Sequence, residues 1–481
     1  MTIFFLLITP LLASLFSLLV KKQVKVLHLL ALFASLIEFF IVGTVVSAVV
    51  KHGVYAYQNY FYVDYLGSVL LMILATVGLL VSWYSITYLK TEVAKKIIGF
   101  HRVRQYFVLL HLFLLVMFLA VITTSPIIAW VAIEATTLST AFLISFYNKP
   151  SATEAAWKYL IISSVGLLLA FFGTLLFLAS TMAVGGHTLV SWQLILTNAA
   201  SLNPFVAQIA FLFICIGYGT KVGLAPMHTW LPDAHSKAPA PISSLLSGVL
   251  LNVAFLIVLR FKLITDVAVG QGFAQGILIF FGVASIVVAA LIIYTQKNYK
   301  RLLAYSSIEH MGIIALGFGF GGAGAFAGLL HMIYHSLTKP LLFLSAGNIF
   351  LKYGSTKIKN IKGIISLMPI TGVIFVIGFL AITGVPPFGM FVTEFSILAS
   401  GIHTHLTVTI VVILALALVF VGFLRHVIAM MFGANENGLT KTAEPTGLIA
   451  PIMVLAVLLI GLSFFLPESL SFLISSATLA Y

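Results

Sequence analysis

Residues 205–235 read FVAQIAFLFICIGYGTKVGLAPMHTWLPDAH. The opening run is apolar enough to sit in lipid, yet it closes on Lys221 and then on a proline, Pro226. A charge at bilayer depth is costly, and an interrupted helix there leaves backbone groups without partners. Two such costs at one place mark that place as functional. Pro226 has no N–H, so the spacing predicts that the Val222 carbonyl loses its helical partner beside Lys221. That carbonyl, with water admitted by the break, is expected to hydrate the ammonium. A packing kink is the plainer alternative.

Composition extends this reading to the whole chain. Of 481 residues, 61% are hydrophobic and 8% charged, with a mean hydropathy of +1.17, which excludes a soluble globular protein. Apolar runs of about 20 residues recur throughout, as polytopic membrane helices require. About fourteen are expected, at 2–20, 26–50, 65–88, 105–124, 126–147, 153–181, 205–228, 241–262, 272–294, 302–320, 323–350, 368–397, 404–430 and 447–466. The net charge of +13 does not point to nucleic acid, because the basic residues lie in short loops. Eighteen fall in alternate loops, chiefly around residues 21–25, 90–104, 297–301 and 352–362, against Lys51, Arg260 and Lys262 on the other side. By the positive-inside rule both termini face outward. The sole cysteine, Cys215, lies within a span and excludes disulfides and cysteine-held clusters within the chain. Residues 1–20 lack a basic leader, so they read as an uncleaved first helix.

The ionisable residues inside spans carry the chemistry. Glu134 stands in WVAIEATTLSTAFLI, where an unpaired carboxylate cannot stay ionised; Lys221, two spans on, is its expected partner. HMIYHSLTK puts His331, His335 and Lys339 on one helical face, a lateral proton relay if water lies between. The H-x3-H spacing can bind zinc, but Lys339 beside it and the lack of a third ligand nearby argue against a metal, and none is expected. Stacked haems are a further alternative, with His111 and His28 as facing partners. Glu394 follows the double proline in VPPFGMFVTEF and could end a proton route. Lys158 either snorkels to the basic-side interface or joins Glu134. His228, with Asp233 and His235, makes an entrance funnel or a loop-stabilising cluster. Glu38 receives no role. Gly223-Leu-Ala-Pro226 and Gly384-Val-Pro-Pro387 lie five spans apart, so they are opposed in orientation, as in an inverted repeat.

TKVGLAPMHTWLPDAHSKAPAPISSLLSG, KNYKRLLAYSSIEHMG, LLHMIYHSLTKPLLFLSAGNI and TGVPPFGMF resemble the antiporter-like subunits shared by respiratory complex I, energy-converting [NiFe] hydrogenases and multisubunit cation/proton antiporters. These segments are most similar to the component F branch of hydrogenase-4. The resemblance implies an all-α membrane fold of fourteen helices with two inverted five-helix repeats and broken helices 7 and 12. Helices 1–3 and a basic loop would occupy 1–104, the repeats 105–262 and 263–430, and the last helix 431–481. It implies a Glu134–Lys221 pair and a hydrophilic axis through His331, His335 and Lys339 to Glu394. Where relatives often carry a lysine or histidine in the eighth span, this chain has Asn252, which cannot hold an ionic proton. The expected function is proton translocation, with sodium as the alternative ion, in a prokaryotic cytoplasmic membrane. Partners would be other membrane subunits and a peripheral redox module, and no cofactor is expected in this chain. The alternatives are a subunit of a cation/proton antiporter and a proton-coupled subunit of an inorganic-carbon uptake complex.

Overall fold

The computed structural model describes residues 2–185, 191–433 and 438–481. Helix follows helix, because in lipid a helix satisfies its backbone groups within one segment. The chain opens with α1 (Thr2–Leu19), α2 (Val24–His52), α3 (Tyr65–Ala94), α4 (Phe100–Ile122), α5 (Pro126–Ile144) and α6 (Pro150–Gly185). A short α7 (Trp192–Thr197) precedes α8 (Pro204–Val222), α9 (Trp230–Lys237), α10 (Ala240–Leu245) and α11 (Leu251–Val269). Next come α12 (Gln271–Thr295), α13 (Tyr299–Phe320) and α14 (Ala323–Tyr353). The rest is α15 (Ile364–Leu367), α16 (Pro369–Ile382), α17 (Gly389–Gly401), α18 (Leu406–Phe432), α19 (Thr446–Phe464) and α20 (Glu468–Thr478). An antiparallel hairpin, β1 (Tyr55–Tyr57) with β2 (Phe61–Val63), joins α2 to α3.

Among the described residues, twelve helical stretches are long and apolar enough to cross a membrane, the continuous 240–269 stretch being one of them. The protein is an integral membrane protein. The spans expected at 323–350 and 368–397 fall on α14, and on α16 with α17, which have 14 and 13 residues. The apolar cores of the 240–269 stretch and of α13 are wholly buried, while α1, α2, α6 and α18 expose apolar faces bearing Phe5, Phe40, Leu168 and Leu414. The polar residues therefore concentrate in the central helices.

Both predicted breaks interrupt helices, but by a different device from the one the prolines suggested. Gly223 adopts φ +83°, and the Leu224 N–H closes back on the Gly219 carbonyl at 2.9 Å. Gly384 adopts φ +60°, and the Val385 N–H closes back on the Leu380 carbonyl at 3.0 Å. Each is a left-handed glycine cap that uses the last carbonyls of its helix. The helix is thus stopped three residues before Pro226, which corrects the reading that the proline ends it. A third irregularity had no sequence signal. Leu246–Leu250 forms a π-helical turn, and its Gly248 packs on Pro340 within α14, where a Cβ would meet the Pro340 ring at 2.7 Å. π turns often mark functional positions in helices.

Arg260 and Lys262 are not loop residues, as the charge count had them. Both lie on α11, where Lys262 Nζ sits 2.6 Å from Asp266 and Arg260 sits 3.4 Å from Asp64. Lys262→Met strands a buried Asp266 carboxylate and should cost about 3 kcal/mol of stability. Lys262→Met/Asp266→Leu should recover most of that loss. Thermal unfolding of the purified subunit in detergent checks both.

Candidate functional site

Small residues set Lys221 in place. Gly217 on α8 lies against Ala170 of α6, and Gly166 of α6 lies against Thr220, so no side chain holds these helices apart. Lys221 is fully buried on the last turn of α8. Its ammonium donates to Thr137 Oγ1 at 2.8 Å and to the Tyr159 hydroxyl at 2.6 Å, and lies 4.6 Å from the Tyr159 ring centre. Tyr159 in turn contacts Thr140 Oγ1 at 2.7 Å, and Thr140 donates to the Thr136 carbonyl at 2.6 Å. Because Thr140 spends its one hydrogen there, the Tyr159 hydroxyl donates to Thr140. The hydroxyl chain has one direction, away from the lysine.

This corrects two expectations. The Val222 carbonyl is not what holds the ammonium, since hydroxyls of α5 and α6 do so; the neighbouring Thr220 carbonyl accepts from Trp230 Nε1 at 2.7 Å. Nor do Glu134 and Lys221 form a contact ion pair: among the described residues no salt bridge joins them. Glu134 Oε1 accepts from Ser164 at 2.7 Å, and Oε2 is buried without a hydrogen-bond partner among the described residues. Thr137, one helical turn from Glu134, occupies the ammonium instead.

The second cluster is built on α13, α14 and α17. Lys339 is fully buried and donates to the Leu303 carbonyl at 3.0 Å and to Ser306 Oγ. The next residue, Pro340, removes the N–H that would have served the Ser336 carbonyl. His331 contacts His310 Nδ1 at 2.9 Å through Nε2, and Thr393 at 2.8 Å through Nδ1. The His335 ring lies 5.7 Å from that of His310, and neither of its nitrogens has a hydrogen-bond partner among the described residues. His310, His331 and Glu394 bring donor atoms within 4.8 Å of one another. The third ligand that seemed missing beside the H-x3-H pair is therefore present, although it groups with His331 and not with His335. Glu309 is buried beside His310 in sequence, its Oε2 without a partner.

Asn252 bridges α11 to α14. Its Nδ2 donates to Ser336 Oγ at 2.7 Å and to the Gly248 carbonyl at 3.0 Å, while Oδ1 has no partner. Next to it, Ser247 and Ser307 share a hydrogen bond of 2.7 Å.

Other candidates lie elsewhere. Lys158 does not join Glu134; it is half-exposed, 2.6 Å from Glu154 and 3.5 Å from Asp233, which also pairs with Arg301. This is the interface alternative. His228 is buried with its ring 6.2 Å from that of Tyr305, and His235 is buried between Trp230 and Phe343. His28 meets Phe107 of α4, the helix that carries His111, whereas the ring facing His331 and His335 is His310. The facing histidines needed for stacked haems are thus differently placed. His310, Tyr159, Thr393 and Ser164 were missed. His310 stands in the quoted KNYKRLLAYSSIEHMG, but only the α13–α14 register brings it to His331.

A family model described as NADH:quinone oxidoreductase/Mrp antiporter, TM, matches residues 123–421. The hydrogenase-4 component F homolog of Methylacidiphilum infernorum is 43% identical over 345 residues, covering 71% of this chain and 72% of that protein. Against several more distant curated relatives the chain spans about half of their length. A chain of the membrane-bound sulfane sulfur reductase, an archaeal respiratory membrane complex, superposes with a TM-score of 0.88 at 24% identity, over 100% of this chain and 96% of that one. A chain of the Mrp complex from a Dietzia species superposes with a TM-score of 0.80 at 18% identity, over 99% and 96%. The two superpositions concern the fold alone.

Proposed function

This chain belongs to the NADH:quinone oxidoreductase/Mrp antiporter transmembrane family, and we propose that it moves protons along its buried polar line as one subunit of a redox-driven complex. It is an antiporter-like membrane subunit of the kind found in complex I, hydrogenase and Mrp-type assemblies. The observation that carries the proton reading is Lys221, a fully buried cation whose hydrogen-bond partners among the described residues are neutral hydroxyls at one end of an oriented chain. A buried charge is costly unless paired. Next to Glu134 the ammonium keeps its proton; turned to Thr137 and Tyr159, it is driven to give the proton up. The ammonium thus switches between a carboxylate and a hydroxyl one turn apart.

For the proton to leave Thr140, that hydroxyl turns its hydrogen from the Thr136 carbonyl to water, and the path then runs by Asn252, Ser336 and Lys339 to His335, His310, His331 and Glu394, with further water completing the gaps. The matching caps at Gly223 and Gly384 support the fourteen-helix reading with inverted five-helix repeats over 105–262 and 263–430, flanked by 1–104 and 431–481. The free energy for translocation comes from partner membrane subunits and a peripheral redox module. The partner's place is suggested by Glu134, which borders the apolar face bearing Val131 and Leu138. The setting is a prokaryotic cytoplasmic membrane with both termini outward. The likeness to the Mrp complex favours one second reading, a cation/proton antiporter subunit.

Tyr159→Phe tests the proposal, because it keeps the ring under Lys221 and removes only the hydroxyl that leads onward. Gradient formation by the reconstituted complex should fall about tenfold, or ~1.4 kcal/mol in barrier, with subunit content unchanged. Undiminished gradient formation would overturn the hydroxyl route.

A further inference from the structure

We propose that His310, His331 and Glu394 form a binding site for a divalent transition-metal cation of the Zn²⁺ type. Hydrogen-bond partners fix which ring nitrogens carry hydrogen. His310 Nε2 lies 2.9 Å from the Ile382 carbonyl. A carbonyl only accepts, so Nε2 carries the hydrogen, and in the neutral ring Nδ1 is a bare lone pair. Thr393 gives its one hydrogen to the Met390 carbonyl at 2.9 Å. Towards His331 Nδ1, 2.8 Å away, Thr393 can then only accept. His331 therefore carries hydrogen on Nδ1, and its Nε2 is bare as well.

The two lone pairs face each other at 2.9 Å. Acceptors do not approach so closely without a cation between them, which is either a proton on one ring or a metal ion. The surroundings suit a metal. Imidazoles that ligate metals typically give their outer N–H to a backbone or side-chain oxygen, which fixes the tautomer, and both rings do so here. Glu394 adds a carboxylate within 4.8 Å, making a set of two nitrogens and one oxygen with an open fourth position. Tetrahedral zinc needs its nitrogens roughly 3.3 Å apart, so the rings part slightly on binding. The carboxylate comes in from α17, a 13-residue helix that follows a break.

The metal takes the lone pairs that would otherwise pass a proton, so Zn²⁺ should block translocation. This consequence rests on the proton-path reading; the binding does not. The test adds Zn²⁺ to the purified complex, removes unbound metal by gel filtration and counts zinc per chain. One added equivalent is expected, absent in His310→Gln and Glu394→Gln and kept in His403→Ala/His405→Ala, which alters exposed histidines. Zinc-edge absorption of the parent complex should show nitrogen and oxygen ligands at about 2.0–2.1 Å. No saturable zinc, equal zinc in His310→Gln, or a sulfur-only shell would overturn the site. None of these readouts uses translocation, so their failure is distinct from failure of the proton route, which Tyr159→Phe reports.

Discussion

Lys221→Met is expected to abolish gradient formation by the reconstituted complex, a loss of at least about a hundredfold or ~2.7 kcal/mol, while the subunit remains assembled. Methionine is unbranched and of similar length, and because no salt bridge joins Lys221 among the described residues, its loss strands no contact partner as Lys262→Met strands Asp266. What disappears is the group that gains and loses the proton between Glu134 and the hydroxyls of Thr137 and Tyr159. Lys221→Arg sharpens the test. Guanidinium keeps its charge where a desolvated lysine can release it, so this variant should also fail to pump. A lysine that merely ties α5, α6 and α8 together predicts the opposite order, with arginine serving nearly as well and methionine impairing assembly. Both gradient formation and subunit content should be measured on the same samples. Robust pumping by an assembled Lys221→Arg protein would sink the mechanism.

How far such residues could be located beforehand depended on the kind of signal each one leaves. Lys221 was legible because a charge in an apolar run is a local anomaly that needs no neighbour to be seen. Its hydroxyl partners were not, because Thr137 and Tyr159 lie on other helices, and the approach of α6 to α8 depends on glycines whose facing residues the sequence does not reveal. The expected Glu134–Lys221 contact failed for the same reason. Opposite charges two spans apart fix a neighbourhood, whereas the rotamer within it is set by packing. Hydropathy located the long helices, since lipid demands length and apolarity together. It was silent on the β1–β2 hairpin and on α20, which are too short for that criterion. The breaks were found through their prolines, but the glycines before them set the geometry. Lys158 shows the limit of reading depth from position, since about two turns into α6 it is still half-exposed and paired with Glu154 and Asp233.

Gly384→Ala should cost nearly as much function as losing the glutamate it faces. At φ +60° an alanine pays about 1 kcal/mol for the left-handed backbone, and its methyl would stand 2.2 Å from Glu394 Oε2. Backbone strain alone would lower stability and leave the chemistry intact. Displacement of the carboxylate would remove the end of the proton path and the oxygen of the proposed metal site together. The two causes separate in a double variant. Glu394→Asp draws the carboxylate back by one methylene and makes room for the methyl. Gly384→Ala/Glu394→Asp should therefore pump better than Gly384→Ala, although Glu394→Asp alone pumps worse than the parent. Strain predicts no such rescue, because shortening a side chain does nothing for the torsion of residue 384. Gradient formation by the four proteins, each corrected for assembled subunit, makes the comparison. If the double variant is no better than Gly384→Ala, the glycine serves the helix break and not the carboxylate.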